Sequence, residues 1–345
     1  MKKILAIESS CDETSASVVI QKNSGVVVLS NVTATSLELH ATTGGIIPEN
    51  AARMQVKYIM PVIWRALLES ENIDDHYNIE KAKEILTKNI DAIAVTYGPG
   101  LIGSLLVGVE TAKTLSYVFN KELINVNHLL AHIYANFIDR NSIQFPFVGL
   151  IVSGGHTDLL LFNSHSDYEW LGGTRDDAAG EAFDKTGRLL DLAYPAGPEI
   201  ERRASLVTKP TIKFKSPIMY EDNFDFSFSG LKTEVQRFVQ QYKVIDTNLK
   251  NQICHATQKA ILDVLIKKTL DASSKYNAKM ILVGGGVSAN QTFREQLSKS
   301  SSIPVLFPER KYSTDNAAMI GAYASIYPTS IDWNKLSANP ELYFA

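Results

Sequence analysis

Apolar residues fall in short blocks near the N-terminus, at 4–8, 15–21 and 26–31, and the joints between the blocks are polar or carry glycine. This pattern predicts three strands in an antiparallel meander. A helix is expected over 49–70, opening just after Pro48. A strand at 92–96, the turn Gly98-Pro99-Gly100, a helix over 101–119 and a strand at 123–126 follow. The pattern then restarts. Strands are expected at 147–152, 157–162 and 168–171, with Ser153-Gly154-Gly155 turning between the first two. A helical region covers 178–204 with a break near Pro195, and further helices cover 231–242 and 249–276. A strand at 280–283 runs into Gly284-Gly285-Gly286, and a helix from Asn290, a strand at 305–307 and a last helix from Asp315 complete the chain. Meander, helix, strand, helix thus occurs twice, as an internal duplication rather than a repeat of solenoid length. The stretch 208–224, with Pro210, Pro217 and several charges, is expected to be the least ordered.

A chain of 345 residues suits two domains. Its 45% hydrophobic and 21% charged residues are those of a globular protein with real cores. A net charge of −3 excludes a polycation, so any nucleic acid must be held by a local basic face or a partner. Two cysteines, Cys11 and Cys254, make no disulfide framework and fit a reducing cytosol. The apolar run at 4–7 is too short for a signal peptide. The helix over 101–119 is interrupted by Glu110 and Lys113, which makes it a buried core helix rather than a membrane span. A cytoplasmic protein is expected.

The most informative short stretch is His128-Leu129-Leu130-Ala131-His132. Its two imidazoles lie four residues apart, on one face of a helix that follows an apolar strand, and one turn lets both rings reach a single metal ion. Leu129 stands where a zinc-protease helix carries its glutamate, so that general base is missing. The bland alternative is a pair of satisfied, half-buried histidines. Asp315 is either an N-cap carboxylate or a third ligand, and two histidines with one carboxylate suit an activating metal such as iron or zinc. Glu8, Asp12 and Glu13 crowd the first turn. They either hold a divalent cation or orient a water, or form a solvated acidic turn. Asp176, Asp177, Glu181 and Asp184 are near helical spacing, where caps and salt bridges are the plain reading. Three turns at strand ends, Ser9-Ser10, Ser153-Gly154-Gly155 and Gly284-Gly285-Gly286, suggest a phosphate clamp between two domains. None fits the P-loop or the Rossmann fingerprint.

Taken together, the motifs resemble those of the tRNA N6-adenosine threonylcarbamoyltransferases, once labelled O-sialoglycoprotein endopeptidases. They run in order over nearly the whole chain. The first are Ile7-Glu8-Ser9-Ser10-Cys11-Asp12-Glu13-Thr14, Gly44-Gly45-Ile46-Ile47-Pro48-Glu49 and Gly98-Pro99-Gly100-Leu101. After the histidine pair come Val152-Ser153-Gly154-Gly155-His156-Thr157 and the stretch from Asp177 to Lys185. The stretch from Asp225 to Thr233, Gly285-Gly286-Val287-Ser288-Ala289-Asn290 and Thr314-Asp315-Asn316 complete the set. Two departures stand out: Pro195-Ala196-Gly197-Pro198 where the family commonly has Pro-Gly-Gly-Pro, and Ala-Thr-Thr after His40 where many members carry a tyrosine.

The resemblance implies an α/β chain of the actin-like ATPase fold of sugar kinases, Hsp70 and actin, with two RNase H-like domains around a central cleft. The first would span 1–140, completed by 326–345, and the second 141–325. The implied metal ligands are His128, His132 and Asp315, holding one transition-metal ion, Fe2+ or Zn2+, with Mg2+ accompanying a bound nucleotide. The implied substrate contacts are Ile151, Val152, Ser153, Gly154, Gly155, Asp184, Gly197, Glu201 and Asn290, with the adenylate in the interdomain cleft. No residue stands out as a general base, and Asp12 and Glu13 are the catalytic candidates by position. The implied reaction transfers a threonylcarbamoyl group from threonylcarbamoyl-AMP to N6 of adenosine 37 in tRNAs that read ANN codons. The implied partners are a paralogous, catalytically silent subunit and a P-loop ATPase subunit. Helices 49–70 and 101–119 either offer a partner an apolar surface or bury against their own sheet. For tRNA, the local basic face would be Arg202, Arg203, Lys209, Lys213 and Lys215, joined by Lys232 and Arg237, with Phe214 placed to stack on a base or to sit in a solvated loop. The alternatives from other classes are a small-molecule kinase or ATPase of the same fold, and a metalloprotease.

Overall fold

In a computed structural model that describes residues 2–22, 25–35 and 47–344, the chain forms two compact units, 1–143 with 315–345 and 144–314. Gly44, Gly45, Ile46 and the stretch after His40 lie outside the described residues.

The first unit is built on one five-stranded sheet. Its strands are β1 (Lys3–Glu8), β2 (Glu13–Lys22), β3 (Gly25–Thr35), β4 (Ala92–Gly98) and β5 (Glu122–Asn127), in the order β3-β2-β1-β4-β5. The expected meander is there: β1 pairs β2 and β2 pairs β3 antiparallel, whereas β4 joins β1 in parallel. Period-two alternation sorts the faces of β1. Leu5 and Ile7 enter one core with residues of α1 (Pro48–Glu69) and α3 (Ile102–Phe119). Ala6 turns to the other face, where it meets Gly321 of the last helix. Glu8 shares that second face.

A helix the sequence pattern left unassigned, α2 (Ile79–Asn89), lies between α1 and β4. The Asn78 side chain caps it by accepting the Lys81 N–H at 3.0 Å, and Ala82, Ile85 and Leu86 form its buried stripe. The short α4 (His128–Tyr134) follows β5 directly and is capped by Asn127, whose side chain accepts the N–H groups of Leu129 and Leu130.

In the second unit β6 (Phe147–Val152), β7 (Thr157–Phe162), β8 (Tyr168–Gly173), β9 (Met280–Gly284) and β10 (Val305–Leu306) repeat the plan, in the order β10-β9-β6-β7-β8. Counted within the unit, this is the same order as in the first, with the same antiparallel and parallel pairs. The helical region broken near Pro195 is two helices, α5 (Ala179–Leu189) and α6 (Gly197–Ala204); α7 (Ser229–Val239), α8 (Thr247–Lys275) and α9 (Gln291–Ser300) follow. The stretch 208–224 has no regular structure but is pinned. The Thr211 N–H donates to Gln252, Gln252 donates to the Lys209 carbonyl, and the buried Lys268 ammonium donates to the Asn223 carbonyl.

The boundary expected at 325 moves. The last helix, α10 (Ala317–Ile326), belongs to the first unit. Every residue from Ala317 to Ser325 is buried, because the helix is apolar all round and must be covered on all sides. It lies so close to the first sheet that a Cβ at Gly321 would come within 2.6 Å of a Val19 methyl.

Candidate functional site

The first site forms where β1 ends against α4 and α10. A parallel sheet leaves its C-terminal strand ends open for chemistry, and Glu8 is the last residue of β1. Its carboxylate is fully buried. It accepts the Ser10 N–H at 2.6 Å and the Thr96 hydroxyl at 2.5 Å, and faces His128 Nδ1 at 3.1 Å. Burial pushes the Glu8 carboxyl up, and His128 with these hydrogen bonds outweighs it and holds the group below the usual carboxylate range. Burial likewise opposes the His128 imidazolium, but the Glu8 and Asp315 carboxylates prevail and raise its pKa to about 9.

His128 Nε2 lies 3.6 Å and His132 Nε2 3.3 Å from the same oxygen, Asp315 Oδ1. One ligand atom from each of the three residues falls within 4.8 Å of the others. The bland reading of satisfied histidines does not hold for His132: neither ring nitrogen makes a hydrogen bond, Nδ1 being buried without a partner and Nε2 facing Asp315 at 3.3 Å outside hydrogen-bond geometry, a costly state for a buried polar group. Ligand atoms about 2.0–2.1 Å from a tetrahedral metal lie roughly 3.3–3.4 Å apart. The donor set therefore fits a transition-metal ion, with Glu8 fixing the His128 ring from behind in the way carboxylates orient metal-bound imidazoles. Asp315 is not the cap of α10; Asn316 is, accepting the Met319 N–H at 3.2 Å.

Asp12 and Glu13 are brought to this site too. Burial first, then Asp315 and Asp12, hold the Glu13 carboxyl well above its ordinary range. The Gln55 amide, which the sequence reading passed over, spans the turn by donating to the carbonyls of Cys11 and Glu13 at 3.0 and 2.9 Å. Ser9-Ser10 does not present an open phosphate turn. Both residues are buried, the Ser9 hydroxyl donates to the Ser104 carbonyl, and the Ser10 N–H is held by Glu8.

The second unit holds a cavity of about 570 Å³. Gly154, Asp184, Gly197, Glu201 and Asn290 line it, as do Gly180, Phe183, Val287 and Arg310. Five of the nine expected substrate residues thus share one cavity. Ile151 and Val152 instead lie inside the core. The Ser153 hydroxyl accepts the His156 N–H at 3.1 Å and closes the turn, leaving Gly154 and Gly155 bare, with open space where a side chain would stand. Beside them α5 begins at Ala178 without a side-chain cap. The first N–H groups of α5 are already taken, Ala179 donating to the Thr157 hydroxyl at 2.9 Å and Gly180 to the Ser153 carbonyl at 3.1 Å, so the exposed Gly154-Gly155 turn is the part of this wall open to a phosphate.

Three of the cavity's polar residues also hold its walls. Asp184 accepts the Ala196 N–H at 2.7 Å, Glu201 the Gln291 N–H at 2.6 Å, and Asn290 the Phe293 N–H at 2.9 Å, capping α9. The Asn290 amide donates to Gln258 at 3.0 Å. Burial raises the Asp184 carboxyl, and the Ala196 N–H and Arg188 counter it in part. The other acidic candidates serve structure. Asp177 and Glu181 share Lys185, and Asp176 accepts the N–H groups of Phe228 and Ser229 at the start of α7.

A profile of the tRNA N6-adenosine threonylcarbamoyltransferase family matches residues 27–322. Relatives described by that name include one from Moorella thermoacetica, 43% identical over 97% of this chain and 95% of its own length. Another, from Dehalococcoides mccartyi, is 46% identical over 93% of this chain and 92% of its own. The chain belongs to the tRNA N6-adenosine threonylcarbamoyltransferase family. Among solved structures, full-length HypF in its phosphate- and nucleotide-bound form superposes with a TM-score of 0.58 at 12% identity, covering 96% of this chain and 56% of that one. Component A of the Acidaminococcus fermentans (R)-2-hydroxyglutaryl-CoA dehydratase gives 0.53 at 11% identity, covering 94% and 98%. At that identity the likeness concerns the fold, which is the actin-like ATPase fold.

The departure at Ala196 leads to a prediction. A Cβ at Gly187 would lie 2.1 Å from the Ala196 Cβ, so the extra methyl of Ala196 fits only because residue 187 is glycine. In an exposed helix Gly→Ala gains up to about 1 kcal/mol; here Gly187→Ala is expected to lose roughly 1–3 kcal/mol by overpacking. Adding Ala196→Gly should recover most of the loss. Denaturant unfolding of the two single variants and the double variant checks this, and purely additive effects would refute the contact.

Proposed function

We propose that the chain transfers the threonylcarbamoyl group of threonylcarbamoyl-AMP to N6 of adenosine 37 in tRNAs that read ANN codons. The observation that carries the reading is the convergence of His128, His132 and Asp315 in a chain of this family. A kinase of the same fold has no need of two imidazoles. A protease helix would carry glutamate where Leu129 stands.

His128, His132 and Asp315 would hold one Fe2+ or Zn2+ ion. When bound, such an ion supplies Lewis-acid polarisation of a carbonyl oxygen. The remaining work falls to the protein's own groups. The cavity of the second unit takes the adenylate, with the Gly154-Gly155 turn toward its phosphate, and Asp184 and Glu201 toward its ribose hydroxyls. Mg2+ accompanies the nucleotide. In the reaction the exocyclic amine forms a C–N bond to the carbamoyl carbon. The C–O bond to phosphate breaks, and AMP leaves with its electron pair. The proton released by the amine goes to Asp12 or Glu13.

A silent paralogous subunit and a P-loop ATPase subunit complete the proposed cytoplasmic assembly. Helices α1 and α3 do bury one side against their own sheet, yet Val56, Ile102 and Leu106 stay 65%, 50% and 44% exposed. That apolar strip supports a partner helix at this face. No described helix is long and apolar enough to cross a membrane.

The direct test incubates the purified protein and its partners with unmodified tRNA, threonine, bicarbonate and ATP, and analyses tRNA nucleosides by mass spectrometry. The threonylcarbamoyl adduct on adenosine is expected, and a phosphorylated product or a cleaved protein would favour the alternatives. His128→Ala with His132→Ala should remove both bound metal and transfer; full metal occupancy in that variant would sink the ligand assignment. The pKa of about 9 sets a pH dependence. Below it the metal-free His128 carries a proton on Nε2 that a metal must displace. Apparent metal affinity should therefore rise about tenfold per pH unit and level off above that pKa. A pH-independent titration would show that His128 is not a ligand.

The basic face changes in one respect. Phe214 is buried in the core of the second unit, 4% exposed, and cannot stack on a base. Arg202 and Arg203 pair with Glu199. Lys209, Lys213 and Lys215 remain exposed and support an electrostatic contact with the RNA backbone. Replacing all three with alanine should reduce the slope of log tRNA affinity against log salt by up to roughly 2–3 units. An unchanged slope would move the RNA face elsewhere.

A further inference from the structure

We propose that Arg294 is the positioning residue that sets the spacing of two walls of the second unit's cavity. The proposal rests on the reading of that cavity as the adenylate site. One wall is the turn Gly286–Ala289, which contributes Gly286, Val287 and Ala289; the other is the segment after β10, which contributes Arg310 and Thr314. Each is closed by its own short-range bonds. The Ser288 N–H donates to the Gly285 carbonyl in the first, and the Tyr312 N–H to the Glu309 carbonyl in the second. Such turns fix their own shape but not the distance between them.

Arg294, one turn into α9, joins the two. Its Nε donates to the Ser288 carbonyl at 2.6 Å, and its Nη2 donates to the Pro308 carbonyl at 2.8 Å and to the Ser313 hydroxyl at 3.0 Å. The guanidinium lies 5.0 Å over the Phe307 ring, which fixes its plane from the side. Ser313 is fully buried, so its hydroxyl offers a firm anchor. A planar guanidinium holds several donors at fixed angles, and three acceptors on two segments are therefore locked to one another. A lysine ammonium at the end of a flexible stem keeps the charge but loses the rigid fork and the ring contact. Arg294 does not line the cavity, so it acts through the groups it holds.

Arg294→Lys and Arg294→Met separate charge from geometry. Calorimetry with AMP should show affinity lowered about ten- to hundredfold in both, as expected when a charged hydrogen-bonding fork is lost. Lysine should not rescue. In the transfer assay KM for the adenylate should rise more than kcat falls. A merely structural role would lower the fraction of binding-competent protein and leave the affinity of the remainder unchanged, and that result overturns the proposal. If neither variant folds, Ser313→Ala removes one bond and should weaken AMP binding about fivefold; unchanged affinity there overturns it too. Asp184→Ala tells the two levels apart. If the unsubstituted protein binds no AMP, the adenylate reading and the proposal fail together. If Asp184→Ala weakens AMP binding and Arg294→Lys does not, the proposal fails alone.

Discussion

A buried carboxylate organises the first unit. The alternation of β1 carries Glu8 to the face covered by α10, where water does not reach it. An ionised carboxylate there costs several kcal/mol unless it is matched. The match comes from three places far apart in the chain: the turn at Ser10, the hydroxyl of Thr96 on β4, and His128 at the start of α4. The parallel pairing of β1 with β4 and of β4 with β5 puts them in reach. Once Nδ1 of His128 is committed to Glu8, its Nε2 points to Asp315, and the neighbouring His132 does the same from one turn further on. Removing one member of such a buried set leaves the others uncompensated, at about 3–5 kcal/mol. The geometry of the histidine site is thus a consequence of how the sheet neutralises one residue.

The second unit reaches its site by a different route, close backbone approach. Gly285 has φ +93°, in the left-handed region, and a Cβ there would meet the Val152 carbonyl oxygen at 2.4 Å. The strand end and the turn can come that close only because the residue is glycine. The Gly187 and Ala196 pair follows the same logic, since the Ala196 methyl occupies the space a Cβ at Gly187 would need. A chain that departs from the common Pro-Gly-Gly-Pro pattern still keeps the Ala196 N–H on Asp184, because the opposite helix makes room.

Polar residues in the cavity act twice. Asp184, Glu201 and Asn290 each accept a backbone N–H that fixes a helix or turn, and each lines the space that a ligand would fill. A carboxylate held at one oxygen is already oriented at the other, and the Asn290 amide is held at both its oxygen and its nitrogen. That restraint lowers the entropy lost when a ligand's hydroxyl groups are bound.

The sequence by itself determined the duplication, the succession of strands along the chain, the histidine pair and the glycine turns. These are local patterns: period two, period three to four, and residues that bend a chain. Motif order carried the family. Missed were α2, whose buried stripe of Ala82, Ile85 and Leu86 is short and surrounded by charge, and the inward turn of Phe214, whose lysine neighbours made it look exposed. Tertiary structure decided which candidates meet. Glu8 reads as an acidic turn residue until β4 and α4 are packed against it. Arg294 reads as a helix-surface cation until the turn at Ser288 and the segment at Pro308 close around it. The assignment of α10 to the first unit was also beyond local pattern, since a helix apolar on every side does not say which sheet it covers. Burial, charge neutralisation and backbone approach depend on partners distant in the chain, and no local spacing encodes them.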